Sequence, residues 1–276
     1  MVDDELVRRL VDEQFPEWRA LPLTRVEPFG TDNAIYRLGD ELAVRLPRRI
    51  DATHEDDKLH AWLPRLAPQL PFEVPLPVAA GRPTELYERS WSVVTWLEGD
   101  TPLGRTVPPD ELAELLQALQ RCDAAGAPPP GVGRGDPLLD RDAPVQVALA
   151  RLDVPGAREL WARACNAPAW ESARVWLHAD LDARNVLVRD GHLTGVIDWG
   201  CMGIGDPAVD VMAAFKLLDA AGRERFRALL AIDDATWLRA EGWALSQALL
   251  ALDYYTLETN ATLVREAERW LAQIDL

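Results

Sequence analysis

Hydrophobic spacing changes character along the chain. Residues 4–15 place Leu6, Val7, Leu10, Val11 and Phe15 at helical intervals, which predicts an amphipathic helix. Three strand-like pieces follow, at 24–29, 34–38 and 42–46. Gly30-Thr31-Asp32-Asn33 separates the first two and Gly39-Asp40 the next. Both separators are turn chemistry, so the pieces read as an antiparallel meander. Residues 54–66 read as a helix, and a proline-broken stretch from Pro71 to Pro83 leads to strands expected near 85–89 and 92–96. Glu98-Gly99-Asp100-Thr101-Pro102 reads as a connector. Beyond it the period is mostly helical. Leu112, Leu115, Leu116 and Leu119 line one face of 109–125, and 233–257 and 262–274 are long periodic segments. Residues 126–137, rich in Pro and Gly, read as a loop. The pattern is α+β: a sheet-rich N-terminal lobe over 1–97 and a helical C-terminal lobe over 98–276, with a ligand expected in the cleft between two such lobes.

Composition narrows the functions. A net charge of −16 and a pI near 4.7 oppose a phosphate backbone, so general nucleic-acid binding is disfavoured and cations are favoured. Cys122, Cys165 and Cys201 show no C-x-x-C spacing, which argues against a disulfide framework or a zinc site and for buried structural cysteines. No apolar run is long enough to span a bilayer. The first residues, Met1-Val2-Asp3-Asp4-Glu5, lack a basic n-region and an apolar h-region. A cytoplasmic protein without a membrane partner is expected.

The chemistry concentrates in 176–206. Two apolar runs, 186–188 and 193–197, flank Asp190-Gly191, a strong two-residue hairpin signal. Such a turn pairs Val188 with Leu193 and Asn185 with Val196, leaving Asp198 diagonal to Asn185 on one face of the ribbon. An amide oxygen and a carboxylate can converge there on Mg²⁺, which takes few protein oxygens and keeps phosphate oxygens for the rest of its shell. Asp180 precedes Asn185 in the loop entering the ribbon, where it can orient a substrate hydroxyl.

His178-x-Asp180-x-x-x-x-Asn185, followed by Asp198-Trp199-Gly200, resembles the catalytic loop and metal-binding Asp-x-Gly of protein-kinase-like enzymes. With Val196-Ile197-Asp198-Trp199-Gly200 and Gly205-Asp206-Pro207-x-x-Asp210, the closer resemblance is to the aminoglycoside phosphotransferase family of antibiotic and metabolite kinases, over nearly the whole chain. That resemblance implies a two-lobed kinase-like fold. It also implies transfer of the γ-phosphoryl of ATP or GTP to a small-molecule hydroxyl. Asp180 would be the catalytic aspartate and Asn185 and Asp198 the Mg²⁺ ligands. His178 would support the loop, and Asp206 and Asp210 would cap the next helix and brace the loop.

The nucleotide side departs from the family pattern. The strand position usually held by lysine carries Arg45, which keeps the charge and can grip phosphate bidentately. Leu59 stands where its glutamate partner is expected, with Glu55 one helical turn earlier as a substitute, and Ala179 stands where relatives often have Gly. Gly30, Thr31, Asp32 and Asn33 match the phosphate-side turn. Val94-Thr95-Trp96-Leu97-Glu98-Gly99 matches the interlobe hinge, so backbone groups of Thr95 and Leu97 would meet the purine. Three other readings stay open. A protein kinase would need an Ala-Pro-Glu and a long segment after Asp198, which are missing; a catalytically inactive binding module would be consistent with Arg45, Leu59 and Ala179, but the intact Asp180–Asn185–Asp198 set argues against it; a metal hydrolase would need more ligands than four scattered histidines supply. The acceptor is open among an aminoglycoside-like polycation, a macrolide, a sugar and an amino alcohol. For the polycation, Asp182, Asp253 and Glu258 are candidate contacts, with Tyr254 or Tyr255 as packing surfaces.

Overall fold

The computed structural model describes residues 2–26, 33–48, 53–131 and 133–276, with side chains from Lys58 onward in the helix that begins at Thr53. The chain divides into two compact units, Met1–Pro68 with Glu73–Glu98, and Gln69–Phe72 with Gly99–Leu276.

The first unit is a helix laid on a sheet. Helix α1 (Asp4–Gln14) starts at Asp3, whose carboxylate accepts from Leu6 N–H at 2.9 Å, and Asp4 and Glu5 in its first turn suit the helix dipole. Strands β1 (Leu23–Arg25), β2 (Asn33–Leu38) and β3 (Leu42–Pro47) precede helix α2 (Thr53–Leu66), and β4 (Pro77–Gly81) and β5 (Trp91–Thr95) follow it. The sheet is antiparallel throughout, in the order β1-β2-β3-β5-β4. Alternation decides which face each side chain takes. Ala34, Tyr36, Leu38, Val44, Leu46, Trp91 and Val93 join Val7, Leu10 and Val11 in one apolar core. Trp91 lies so close to β4 that a Cβ on Gly81 would sit 1.9 Å from the indole ring.

Two expectations change here. Residues 85–89 form no strand. Thr84 and Tyr87 close a tight turn by exchanging backbone hydrogen bonds of 2.8 and 3.2 Å. The partner of β5 is β4, inside the proline-broken stretch, and Pro77 is tolerated because β4 is an edge strand with no ladder to feed on its outer side. In addition, β1 ends at Arg25, and positions 27–32 of the expected strand and turn lie outside the described residues.

The second unit is mostly helical. Helices α3 (Pro109–Arg121), α4 (Asp142–Arg151) and α5 (Ala157–Cys165) lead to strands β6 (Val175–Leu177), β7 (Val186–Arg189), β8 (His192–Val196) and β9 (Gly203–Gly205). Then come α6 (Ala208–Val211), α7 (Ala213–Leu217), α8 (Ala220–Leu230), α9 (Asp234–Tyr254) and α10 (Leu257–Leu271). Helix α9 packs against α4, α5, α6 and α10 and buries most of its length, including Trp243, Leu245 and Leu249. Helix α10 contributes Leu263, Ala267 and Trp270 to a shared cluster. Among the described residues no helix is long and apolar enough to cross a membrane. Cys122 is buried, while Cys165 and Cys201 are half-buried rather than sealed in the core.

Candidate active site

Two small ribbons hold the motif residues. β7 and β8 form the expected hairpin, and Asp190 and Gly191 at its turn both have positive φ, 55° and 85°, as a two-residue turn of this type requires. Val188 faces Leu193 as expected, but the register then shifts: Leu187 faces Gly195 and Val186 faces Val196. Thr194 is the extra residue of a β-bulge, and its hydroxyl donates to Leu187 O at 3.4 Å. Asn185 therefore lies opposite Ile197, whose N–H donates to Asn185 O at 2.9 Å, rather than opposite Val196. Strand alternation alone would now turn Asp198 away from Asn185. The chain leaves the strand at that point, with Asp198 left-handed at φ 61° and ψ 57°.

β6 and β9 make the second ribbon, pairing Val175 with Gly205 and Leu177 with Gly203. Gly203 is needed because the proline loop lies against it: a Cβ there would stand 2.3 Å from Pro130 N. That loop is pinned further by Gly131 N–H to Cys201 O at 3.0 Å and Ile204 N–H to Pro128 O at 3.0 Å.

Between the ribbons runs His178–Asn185, whose polar side chains all have hydrogen-bond or ion-pair partners. Buried Asp210, on α6, accepts from His178 N–H and Ala179 N–H, both at 2.7 Å, so the bracing role expected for it is what the geometry displays. Burial raises the Asp210 carboxyl above its ordinary range, and those two N–H groups oppose the rise. His178 is fully buried; its Nδ1 accepts from Asp180 N–H at 3.2 Å, so Nε2 carries the proton and donates to Ile197 O at 2.9 Å. Its ring meets Trp199 edge-on at 4.8 Å. Both ring nitrogens are thus committed to the backbone, as a loop support requires. Ala179 holds a left-handed φ of 67°, a conformation costly for a residue with a Cβ.

Asp180 and Asn185 meet directly. The Asn185 amide Nδ2 donates to Asp180 O at 2.8 Å and reaches its carboxylate Oδ2 at 3.3 Å. The other carboxylate oxygen, Oδ1, pairs with Arg134 at 2.7 Å. Burial works to raise the Asp180 carboxyl, but Arg134, then Arg184 and Lys216, outweigh it and hold the group well below the usual carboxylate range. Arg184 itself pairs with buried Asp182 through Nη2 at 2.5 Å and Nε at 3.0 Å. Burial opposes the Arg184 charge, and Asp182, Asp180 and Asp198 together raise it above the ordinary arginine value. Asp198 therefore belongs to the same charge cluster. Lys216, fully buried on α7, donates to Gln247 at 2.5 Å and lies over Trp270 at 4.4 Å. Burial drops its pKa to about 8 against the pull of Asp182 and Asp180.

Arg134, Arg184 and Lys216 were not singled out by the sequence. Arg184 carried a signal, since it sits inside the motif; Arg134 comes from a loop whose composition says only that it turns.

In the first unit, Arg45 is 6% exposed, which a surface strand residue would not be. It pairs across the sheet with Ile35 and Ser92, and Asn33 pairs with Pro47 two residues further along β3. Asn33 and Arg45 thus share the face opposite the α1 core. Gly30, Thr31 and Asp32 lie outside the described residues, and so does the side chain of Glu55. Leu59 is buried, as the apolar residue at that position would be. Thr95 has its N–H on Leu76 O at 2.9 Å, and its hydroxyl accepts from Leu76 N–H at 2.9 Å. Its backbone donor is therefore taken. The Leu97 peptide groups pair with no backbone group among the described residues.

A five-stranded antiparallel sheet, a helical unit, and an Asp–Asn loop feeding a hairpin that ends in Asp define a kinase-like phosphotransferase fold. The family model described as the phosphotransferase enzyme family (APH) matches residues 25–243, and the chain belongs to that family. Solved structures agree in fold. The GDP complex of wild-type aminoglycoside 2′-phosphotransferase-IIIa is 16% identical with a TM-score of 0.73, over 98% of this chain and 99% of that one. A GDP and kanamycin complex of an APH(2″) enzyme is 17% identical with a TM-score of 0.72, over 96% and 98%. The macrolide 2′-phosphotransferase apoenzyme from Brachybacterium faecium is 20% identical with a TM-score of 0.64, over 98% and 97%. A search of curated proteins gave no significant match.

Proposed function

We propose that the protein is a small-molecule kinase that moves the γ-phosphoryl group of ATP or GTP, with Mg²⁺, to a hydroxyl of an antibiotic-type or metabolite acceptor. The observation that carries this is the Asp180–Asn185 junction. Asn185 commits its amide nitrogen to Asp180, which leaves Oδ1 as the side-chain atom able to ligate a metal. Asn185 Oδ1 and the Asp198 carboxylate are hard oxygens, the donor set that fits Mg²⁺. A bound Mg²⁺ would neutralise the phosphate oxygens as charge develops on them.

The chain's own residues account for the rest. Asp180 Oδ1 is held by Arg134, so Oδ2, at a long 3.3 Å from Asn185, is the oxygen able to accept the proton of an acceptor hydroxyl. The acceptor oxygen forms a bond to the γ-phosphorus, the bond from that phosphorus to the β–γ bridging oxygen breaks, and the nucleoside diphosphate leaves. The hydroxyl proton passes to Asp180 and then to solvent. Asp210 and His178 keep the Asp180 loop in one geometry during this exchange. In the first unit, taken as the nucleotide-binding lobe, Arg45 and Asn33 would meet phosphate oxygens, with Gly30, Thr31 and Asp32 in the adjoining turn. The Thr95 carbonyl and the Leu97 peptide would meet the purine. A cytoplasmic location, where nucleoside triphosphates are plentiful, goes with this reading.

The related structures with GDP and kanamycin, and with streptomycin and ATP, support a nucleotide donor and a small-molecule acceptor. The test is diphosphate release with Mg²⁺ and ATP or GTP in parallel, against aminoglycosides, macrolides, sugars and amino alcohols. Acceptor-stimulated release is expected. Release that no acceptor raises above the rate with water would reject the reading.

A further inference from the structure

The charges around Asp180 bear on which acceptor the site takes, an inference that rests on the phosphotransfer reading above. A polycationic acceptor needs carboxylates with capacity left to receive ammonium groups. Two of the three candidates for that role are already matched. Asp182 is fully buried, and Arg184 covers both of its oxygens, at 3.0 and 2.5 Å. Asp253 is gripped through both oxygens by Arg151, at 3.2 and 3.0 Å. The third, Glu258, is exposed in the first turn of α10. Asp180 itself is paired with Arg134.

Exposure shows which partner a ligand would meet. In the Arg134–Asp180 pair the arginine side chain is 27% exposed and the aspartate 15%. In the Arg184–Asp182 pair the values are 28% and 0%. The more accessible side chain of each pair is therefore the arginine. Arg134 Nη1 is on Asp180, and the other guanidinium N–H groups of Arg134 make no further hydrogen bond or ion pair among the described residues. A guanidinium has five donors and no acceptor, so those groups suit ether, hydroxyl, carbonyl or carboxylate oxygens and repel ammonium.

The Arg134 side chain is also delivered by a built path. Arg141 lies over Trp243 at 4.9 Å, donates to Ser246 Oγ at 3.1 Å, and fixes the loop by donating to Gly133 O at 2.6 Å. Arg134 N–H closes the turn onto Gly131 O at 2.9 Å.

We propose that Arg134 and Arg184 are specificity residues for an oxygen-rich, neutral or acidic polyhydroxyl acceptor, such as a sugar or sugar acid, and that they disfavour polycations. The acceptor would place oxygens against the two guanidinium groups while its reacting hydroxyl donates to Asp180.

The experiment measures kcat/KM by diphosphate release for neutral sugars, sugar acids, kanamycin and gentamicin, in the wild type and in Arg134→Gln. Calorimetric binding of the same compounds to the wild type supplies a readout that does not need turnover. The best sugar or sugar acid should exceed both polycations at least tenfold in kcat/KM and should bind more tightly. Arg134→Gln should close that gap at least tenfold through the acceptor KM. Should Arg134→Gln fold poorly, Arg134→Lys should keep the preference against polycations, because it keeps the charge. Kanamycin or gentamicin turned over as well as the best sugar would overturn this proposal and leave the phosphotransfer reading standing. Release raised by no acceptor would sink both.

Discussion

The loop around Asp180 and the sheet face around Arg45 reach their geometry by different routes. In the loop, Asp210 clamps two successive backbone N–H groups, His178 ties Asp180 N–H to Ile197 O, and Asn185 ties down the Asp180 carbonyl. On the sheet face, Arg45 and Asn33 come together because their strands alternate and pair. The first region is specified by hydrogen bonds between named side chains and is sensitive to each of them. The second is specified by a pattern that many sequences satisfy, and only the terminal groups of its side chains matter to a ligand.

That contrast can be broken at three places. Asp210→Ala should have the largest effect, because it leaves two buried N–H groups without acceptors. At about 1–3 kcal/mol for each, denaturant unfolding should show a loss of several kcal/mol, with turnover falling as well. A loss under about 1 kcal/mol would mean the loop does not depend on the clamp. Arg45→Ala should be milder and should act on one parameter. The nucleotide KM should rise by about ten- to a hundredfold, roughly 1.4–2.8 kcal/mol of binding, while the acceptor KM stays put. An unchanged nucleotide KM would remove Arg45 from the proposed phosphate contacts. Ala179→Gly should be the smallest and of opposite sign. Relief of the left-handed strain, about 1–2 kcal/mol, exceeds the added backbone entropy of about 0.4–1 kcal/mol, so the unfolding midpoint should rise slightly. A fall would show that Ala179 is not strained as its φ of 67° implies.

What could be read from the sequence follows the same division. The meander, the Asp190-Gly191 hairpin and the order of the motif residues were legible because turn chemistry and side-chain period act locally. The bulge at Thr194 was not, since one extra residue in a strand leaves no mark on composition, and it moved Asn185 from Val196 to Ile197. Strand β4 was hidden by Pro77, which reads as a breaker unless the strand is known to be an edge. The two-residue clamp by Asp210 was anticipated as a brace. The ion pair between Arg134 and Asp180 was out of reach, because a Pro- and Gly-rich loop does not announce where its one arginine will point. Asp182, weighed as an acceptor contact, proved to be sealed by its neighbour Arg184, a pairing within the motif that only side-chain geometry could reveal.

Asp180 carries the central claim, that this loop orients a hydroxyl for phosphoryl transfer. The direct test is acceptor-stimulated diphosphate release by wild type and Asp180→Ala, with the unfolding midpoint measured on both. The account predicts a fall in turnover of about 10²–10⁴-fold in a variant that is still folded. A folded Asp180→Ala protein that retains near wild-type turnover on its best acceptor would contradict it.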